Sequence, residues 1–397
     1  MTVSHTLWRW QPIQSEREKY PEAIAQQHSL PHHFQIVAAR VRGKKHKHEG
    51  NNCDDWFEVT RSGEWTIIAV ADGAGSQLFS RIGAKVACQS ATSYLARKLR
   101  YHTLQTRDHW NAETFARLPK TYQFQQPDLE FTQQLLHEAL LKAYHAIEKA
   151  CHHRDELKYY YKAVGERDLT LQDFASTLLL VLHTTVTIRE TIYSFVLTCQ
   201  IGDGLSAVIY KNTPQTGLLS EIEKNNFSGE TQFITSSRPQ LARELLAIKT
   251  FPFFGPLQAL LVMTDGVSDD YFPPEKGMLR LLGDLMLNGV LPIPIREYLL
   301  SPPQELELEH YKAEYLTLEY RISEQGPQPT WVASVTDYAR ILGCEIEQLI
   351  SHPNLLKIPE EIGVQAESPA SRLLTWLDSY QVRGSFDDRT LVVLHPV

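Results

Sequence analysis

Apolar residues fall into short runs over the first third of the chain. Phe34–Val41 reads as a strand, and Gly43 to Gly50 (Gly-Lys-Lys-His-Lys-His-Glu-Gly) follows it as a basic loop. Trp56–Thr60 and Trp65–Ala71 are two further runs, parted by Arg61-Ser62-Gly63-Glu64 in the manner of a hairpin with a short turn. From Ser80 to Leu95 the period changes. Ile82, Val86, Ala87, Ala91, Tyr94 and Leu95 stand three and four apart, which predicts a helix with one buried face. A second helix starts after Pro127, with Phe131, Leu135, Leu136, Ala139, Leu140, Ala143, Tyr144 and Ile147 on one stripe.

Further on, Ser176–Thr187, Thr191–Ile201 and Leu205–Tyr210 are rich in β-branched and aromatic residues, and they predict consecutive antiparallel strands. Ala259–Met263 and Thr390–Leu394 are two more runs of strand length. Between them, from about 271 to 384, the pattern is mostly helical and includes Trp331–Leu342 and Ser371–Tyr380. This order lacks the strict strand–helix alternation of a parallel sheet. It predicts an α+β fold of antiparallel sheets covered by helices. We read residues 1–33 as an N-terminal extension and 34–397 as one domain with a largely helical insertion at about 271–384. The prolines at 273, 274, 292, 294, 302 and 303 lie within that insertion.

Composition narrows the class. Of 397 residues, 43% are apolar and 22% charged, the balance of a chain that buries a sizeable core. A net charge of −8 argues against generic nucleic-acid binding, which needs a broad cationic surface. No apolar run approaches the roughly 18–20 residues that span a bilayer, so no membrane association is expected. The N-terminus, with Trp8, Arg9, Trp10 and the charged stretch Glu16–Lys19, has no apolar core of a signal peptide. Five scattered cysteines without a Cys-x-x-Cys pair predict reduced thiols in a cytoplasmic protein.

The chemistry-bearing residues are aspartates at strand ends. Asp54 and Asp55 precede Trp56, Asp72-Gly73 follows the run ending at Ala71, and Asp203 stands between two strands in Gly202-Asp203-Gly204. Asp265-Gly266 follows Met263-Thr264, with Asp269 four residues on, and Asp387-Asp388 opens the last strand. Singly, a strand-end aspartate is more often a turn or cap former than a ligand, although Asp72 is followed by a helix rather than a return strand. Gathered, they require cations, since two carboxylates about 4 Å apart repel by roughly 4 kcal/mol at an effective dielectric near 20. Oxygen ligands without Cys or His at ligand spacing favour Mg²⁺ or Mn²⁺. Two such ions about 3.5–4 Å apart hold a water as hydroxide, bind phosphoryl oxygens and steady an in-line attack.

This ordered set resembles the metal-dependent type-2C (PPM) serine/threonine protein phosphatase family, bacterial branch, over about 34–270 and 384–395. The similarity is carried by Asp54-Asp55-Trp56-Phe57, Val70-Ala71-Asp72-Gly73, Ala175-Ser176-Thr177-Leu178, Ile201-Gly202-Asp203-Gly204, Thr264-Asp265-Gly266-Val267 and Asp387-Asp388-Arg389-Thr390, and by the helix from Ser80. The resemblance implies a four-layer α-β-β-α sandwich with the site between the sheet edges. It implies that Asp55 and Asp72 lie at a bridged metal pair with the Gly73 carbonyl, that Asp265 and Asp387 complete one ion, and that Asp203 and Asp269 hold a weaker third. Asp54 stands where the family has Glu or Gln, and Thr177 is expected to pack near the site. Two departures are visible. The family's phosphate-contacting Arg, five residues before the ligand Asp, is Gly50 here. His46 is the substitute candidate, with Arg40 and Arg42 behind it, and the alternative is a solvated basic loop. Ala74 replaces the His that eukaryotic members carry after Asp-Gly, which leaves leaving-group protonation to a metal-bound water or to His46. The implied function is hydrolysis of phosphoserine or phosphothreonine in a phosphorylated protein, with a cognate Ser/Thr kinase as partner. The alternatives are a catalytically weak or inactive phosphatase-fold module that binds a phosphoprotein or kinase, and a metal phosphohydrolase acting on small molecules.

Overall fold

The computed structural model describes residues 8–14, 20–104, 127–153, 156–165, 167–188, 190–211, 213–221, 231–236, 249–293, 316–352, 356, 358, 367–379 and 386–397. The stretch Glu16–Lys19, Pro294, Pro302, Pro303 and Tyr380 lie outside them.

One antiparallel sheet has six strands: β1 (Ala23–Leu30), β2 (Phe34–Val41), β13 (Arg389–Pro396), β10 (Leu257–Met263), β7 (Leu205–Tyr210) and β8 (Thr216–Leu218), in that order. The other has five: β3 (Trp56–Ser62), β4 (Trp65–Ala71), β5 (Leu178–Ile188), β6 (Thr191–Ile201) and β9 (Thr250–Gly255). The central strands are apolar on both faces because both faces are covered. Ile36, Ala38, Ile68, Val70, Val181, Val196, Leu260, Val262, Val392 and Leu394 form a core between the sheets. The alternate residues point outward under helices, as a period of two requires. Ile67, Ala69 and Ala71 pack under α2 (Ser80–Leu99) and α3 (Pro127–Cys151). Val37, Ala39, Leu261 and Val393 pack under α6 (Pro274–Leu287), α7 (Val335–Leu342) and α9 (Pro369–Ser379). The result is the α-β-β-α sandwich, and none of the five cysteines forms a disulfide.

Several local expectations are corrected. The basic stretch after Gly43 is a helix, α1 (Lys44–Glu49), rather than a loop, and three of its charged residues (Lys44, His46, Lys47) are buried. His46 meets Asp388 and Lys47 meets Asp378, whereas burial and the neighbouring Arg389 push the Lys44 ammonium down to about 8 against the pull of Glu319 and Asp270. β6 and β7 do not pair with each other; β7 joins β10 in the opposite sheet. Gly202, at φ 105°, carries the crossing, and a Cβ there would sit 2.4 Å from Thr177 Cγ2. β1 lies within the stretch assigned to the N-terminal extension and pairs with β2 along its whole length. The segment read as mostly helical contains a hairpin, β11 (Leu316–Ser323) and β12 (Gly326–Ala333), which places Trp331 in a strand and starts α7 at Val335. Its end is docked on α6 by side chains that stand in for a neighbouring strand. Asn288 exchanges hydrogen bonds with both backbone groups of Ala333, and the Val335 N–H donates to Asp284 Oδ1 across 2.7 Å. Phe131, counted on the buried stripe of α3, is 38% exposed and rests against the His102 ring.

Candidate functional site

Five loops at one end of the sandwich carry the aspartates. Asp54 and Asp55 enter β3, Asp72 leaves β4 and Asp203 leaves β6, all from the five-stranded sheet. Asp265 begins α5 (Asp265–Ser268) after β10, and Asp387 and Asp388 enter β13, all from the six-stranded sheet. One carboxylate oxygen each from Asp72, Asp203 and Asp265 lies within 4.8 Å of the other two. The Asp55 carboxyl lies against that of Asp72, and Asp387 adds to the negative field at Asp55, Asp72 and Asp265. Asp269 is exposed at the rim and raised by burial of its carboxyl and by Asp203 and Asp387.

Hydroxyls hold the set in place. The Asp72 N–H donates to Thr177 Oγ1 (2.9 Å), and the Thr177 N–H donates back to the Asp72 carbonyl (2.8 Å). Thr177 therefore fixes the turn at Asp72, and Gly73 is bridged to Ser176 next to it. A Cβ on Gly73 would come within 2.7 Å of the Asp54 carbonyl, so the approach of these two loops requires glycine. Asp55 Oδ2 accepts from Thr264 Oγ1 (2.9 Å) and Thr390 Oγ1 (2.6 Å), both on the opposite sheet. Sequence reasoning assigned no such role to Thr264 or Thr390. The signal available was a threonine at Asp-Asp-x-Thr and directly before Asp265.

Asp388 was likewise passed over for its neighbour Asp387, yet it is the more deeply enclosed of the two. It accepts from the Gly43 N–H at 2.6 Å, from the Asp54 N–H, and from His46 Nδ1 at 2.9 Å. Burial opposes its charge, but His46 and the two N–H groups hold Asp388 below the usual carboxylate range. Burial likewise works against a charged His46, and Asp388 and Asp54 overcome it, raising the ring to about 10. His46 is an enclosed cation, 3% exposed, with Nε2 3.8 Å from Asp54 Oδ2. Arg40 and Arg42 are also buried. Arg40 donates to the carbonyls of Asp55 and Pro21 and lies over the Trp56 ring; Arg42 donates to Asn51 and Gln11 and pairs with Glu22.

The remaining carboxylates behave in the opposite way to Asp388. Burial first, and then Asp388, pushes Asp54 up to about 7 and Asp55 well above the ordinary value. Burial together with Asp265 and Asp55 raises Asp72 strongly, and burial with Asp203 and Asp387 takes Asp265 to about 7. Among the described residues, Asp55 Oδ1, Asp203 Oδ1 and Asp265 Oδ1 are buried oxygens that no hydrogen-bond donor reaches. A cluster of acids that repel one another, with oxygens left over, fits hard divalent cations such as Mg²⁺ or Mn²⁺. The grouping of His46, Asp387 and Asp388 does not fit one, because the imidazole is protonated and already paired.

No curated protein matches the chain. Among solved structures, a phosphatase from Toxoplasma gondii is 11% identical with a TM-score of 0.43, over 94% of this chain and 95% of that one. The S. agalactiae serine/threonine phosphatase is 10% identical with a TM-score of 0.36, over 92% and 100%. The serine/threonine phosphatase Stp1 from Staphylococcus aureus is 10% identical with a TM-score of 0.32, over 95% of each chain. The family model of protein phosphatase 2C matches residues 42–289, a span that contains all of these aspartates except Asp387 and Asp388 and makes up more than half of the sequence. The chain belongs to the protein phosphatase 2C family.

Proposed function

We propose that this protein is a metal-dependent phosphatase acting on phosphoserine or phosphothreonine in proteins phosphorylated by a Ser/Thr kinase. The observation that carries this reading is the meeting, at one sheet end, of carboxylates from both sheets with three buried oxygens lacking donors. Asp55, Asp72, the Gly73 carbonyl, Asp265 and Asp387 would hold two ions, with Asp203 and Asp269 available to a weaker third. Bound there, Mg²⁺ or Mn²⁺ supplies a water nucleophile at neutral pH and offsets the charge of the phosphoryl oxygens.

The protein's own part is to position. Thr177 fixes the Asp72 backbone, while Thr264 and Thr390 hold one oxygen of Asp55 and leave the other facing the cluster. The ion pair of His46 and Asp388 locks α1 to the loops before β3 and β13. Strand-end mounting of this kind costs little conformational freedom when a substrate arrives. The sequence contains no cysteine or serine in a nucleophile elbow, and the reaction proposed is direct attack of water on phosphorus without a covalent enzyme intermediate.

The test is hydrolysis of p-nitrophenyl phosphate and of a phosphothreonine peptide with Mn²⁺ or Mg²⁺ added. Turnover that persists after exhaustive chelation would overturn the metal-dependent reading. Tight Mn²⁺ binding in calorimetry with no turnover on either substrate would instead identify a phosphoprotein-binding module.

A further inference from the structure

A cleft of about 610 Å³ opens beside Asp54. Its walls come from the turn at Gly50–Asn52, the loop Gly75–Phe79, the first turn of α2 and the end of α4 (Leu157–Ala163). The α4 wall is anchored by aromatic packing: Tyr160 lies 4.6 Å from the Phe79 ring and 5.4 Å from Phe174, centroid to centroid. Two cations line the cleft among the described residues, Arg81 on α2 and Lys162 on α4, with Asp54 as the acid. Arg81 is half-buried, donates through Nη1 to the Leu78 carbonyl at 2.6 Å, and draws the Asp54 carboxyl downward against its burial. Lys162 is exposed on the outer wall.

The cations that the sequence put forward for binding phosphate do not reach this space. His46 is enclosed between Asp388 and Asp54, and Arg40 and Arg42 are spent on backbone carbonyls and Glu22. A phosphate dianion arriving at the carboxylate cluster needs positive charge beside it, and a guanidinium fork matches two phosphoryl oxygens at once.

We propose that Arg81 receives the substrate's phosphoryl oxygens, and that the cleft between α2 and α4 seats the chain flanking the phosphorylated residue, with Lys162 on its outer wall. This rests on the phosphatase reading above, but its test is separable from turnover.

The probe is inorganic phosphate, titrated calorimetrically into the full-length protein saturated with Mg²⁺, alongside KM and kcat for p-nitrophenyl phosphate. Arg81→Gln keeps a donor for the Leu78 carbonyl and removes the charge. It should weaken phosphate binding and raise KM by about 10- to 100-fold, the worth of hydrogen bonds to a charged group. Arg81→Lys should recover part of that loss, since a point charge replaces the fork. If Arg81→Gln does not fold by circular dichroism, Arg81→Lys carries the test, with an expected weakening of at least about threefold. Arg340→Gln, the same charge change on exposed α7, should leave both quantities at wild-type values. Phosphate affinity that is undetectable in the wild type, or equal in wild type and the Arg81 variants, overturns the proposal. Arg81-dependent phosphate binding in a protein that hydrolyses nothing would uphold the contact and sink the catalytic reading instead.

Discussion

The Thr390 hydroxyl donates to Asp55 Oδ2 across 2.6 Å, tying the start of β13 to the loop that enters β3 in the opposite sheet. Thr264 donates to the same oxygen, while Asp55 Oδ1 has no donor among the described residues. One oxygen is therefore structural and the other is kept for the centre. Removing a donor from a buried carboxylate should be expensive. Thr390→Val preserves shape and should lower stability of the metal-free protein by about 1–3 kcal/mol, the cost of leaving a buried polar group short of a partner. Thr390→Ser retains the hydroxyl and should stay within about 1 kcal/mol of wild type in the same urea titration, a neutral-bond-sized difference.

Asp265 predicts a change of sign between metal-free and metal-loaded protein. Burial, Asp203 and Asp387 push its carboxyl up to about 7 in the fold, so at pH 8 it is ionised at a cost the unfolded chain does not bear. Its stabilising contribution is complete only below the unfolded value near 3.9 and is lost as pH rises from there to about 7. Asp265→Asn should therefore stabilise the metal-free protein at pH 8, on the order of 2 kcal/mol. Mg²⁺ at 100 times its Kd should add about 2.7 kcal/mol to the wild type, and most of that gain should vanish in the variant. Thermal unfolding with and without Mg²⁺ reads both halves, and an Asn variant destabilised without metal would contradict the argument.

The pair of His46 and Asp388 stands in the same pocket with the opposite balance. His46→Ala strands a buried carboxylate and should cost about 3–5 kcal/mol. His46 is raised to about 10, so its contribution is complete below the unfolded value near 6.5 and fades as pH climbs from there through about 10. The difference in stability between wild type and His46→Ala should therefore shrink from pH 6.5 to pH 10. A constant difference across that range would show that the ring acts by packing alone.

These relationships were unevenly legible. Trp65–Ala71 could be read as a strand because both of its faces are buried, which makes the run continuously apolar. The strand-end aspartates stood out by repetition. By contrast α1 has no apolar stripe: its buried residues are Lys44, His46 and Lys47, and the last two are held by acids far along the chain. β1 (Ala-Ile-Ala-Gln-Gln-His-Ser-Leu) is a half-polar edge strand, and edges carry little pattern. Local preference identified β6 and β7 as strands but carries no information on which sheet each joins; the crossing at Gly202 is a tertiary fact. Asp387 and Asp388 are the same residue type in adjacent positions, and only packing distinguishes the paired one. Arg81 reads in sequence as an ordinary helix-surface residue.

His183 supplies a pH dependence away from the site. It lies on β5 between the sheets, 3% exposed, with Nε2 3.0 Å from Ser194 Oγ and its ring 5.2 Å from Phe34. Burial pushes its pKa down to about 3, so the folded ring stays neutral where the unfolded ring takes a proton. The unfolded state then binds more protons below about 6.5, and stability falls with acidification from 6.5 toward 3. The raised carboxylates of the site titrate in the opposite sense, so the wild-type profile alone does not isolate this group. The comparison with His183→Gln does, since glutamine can still meet Ser194 but does not titrate. Between pH 7 and pH 4.5 the wild type should lose about 3 kcal/mol more than the variant, at roughly 1.4 kcal/mol per unit over two units. Urea unfolding at the two pH values measures it, and parallel losses in the two proteins would mean that His183 is protonated within the fold.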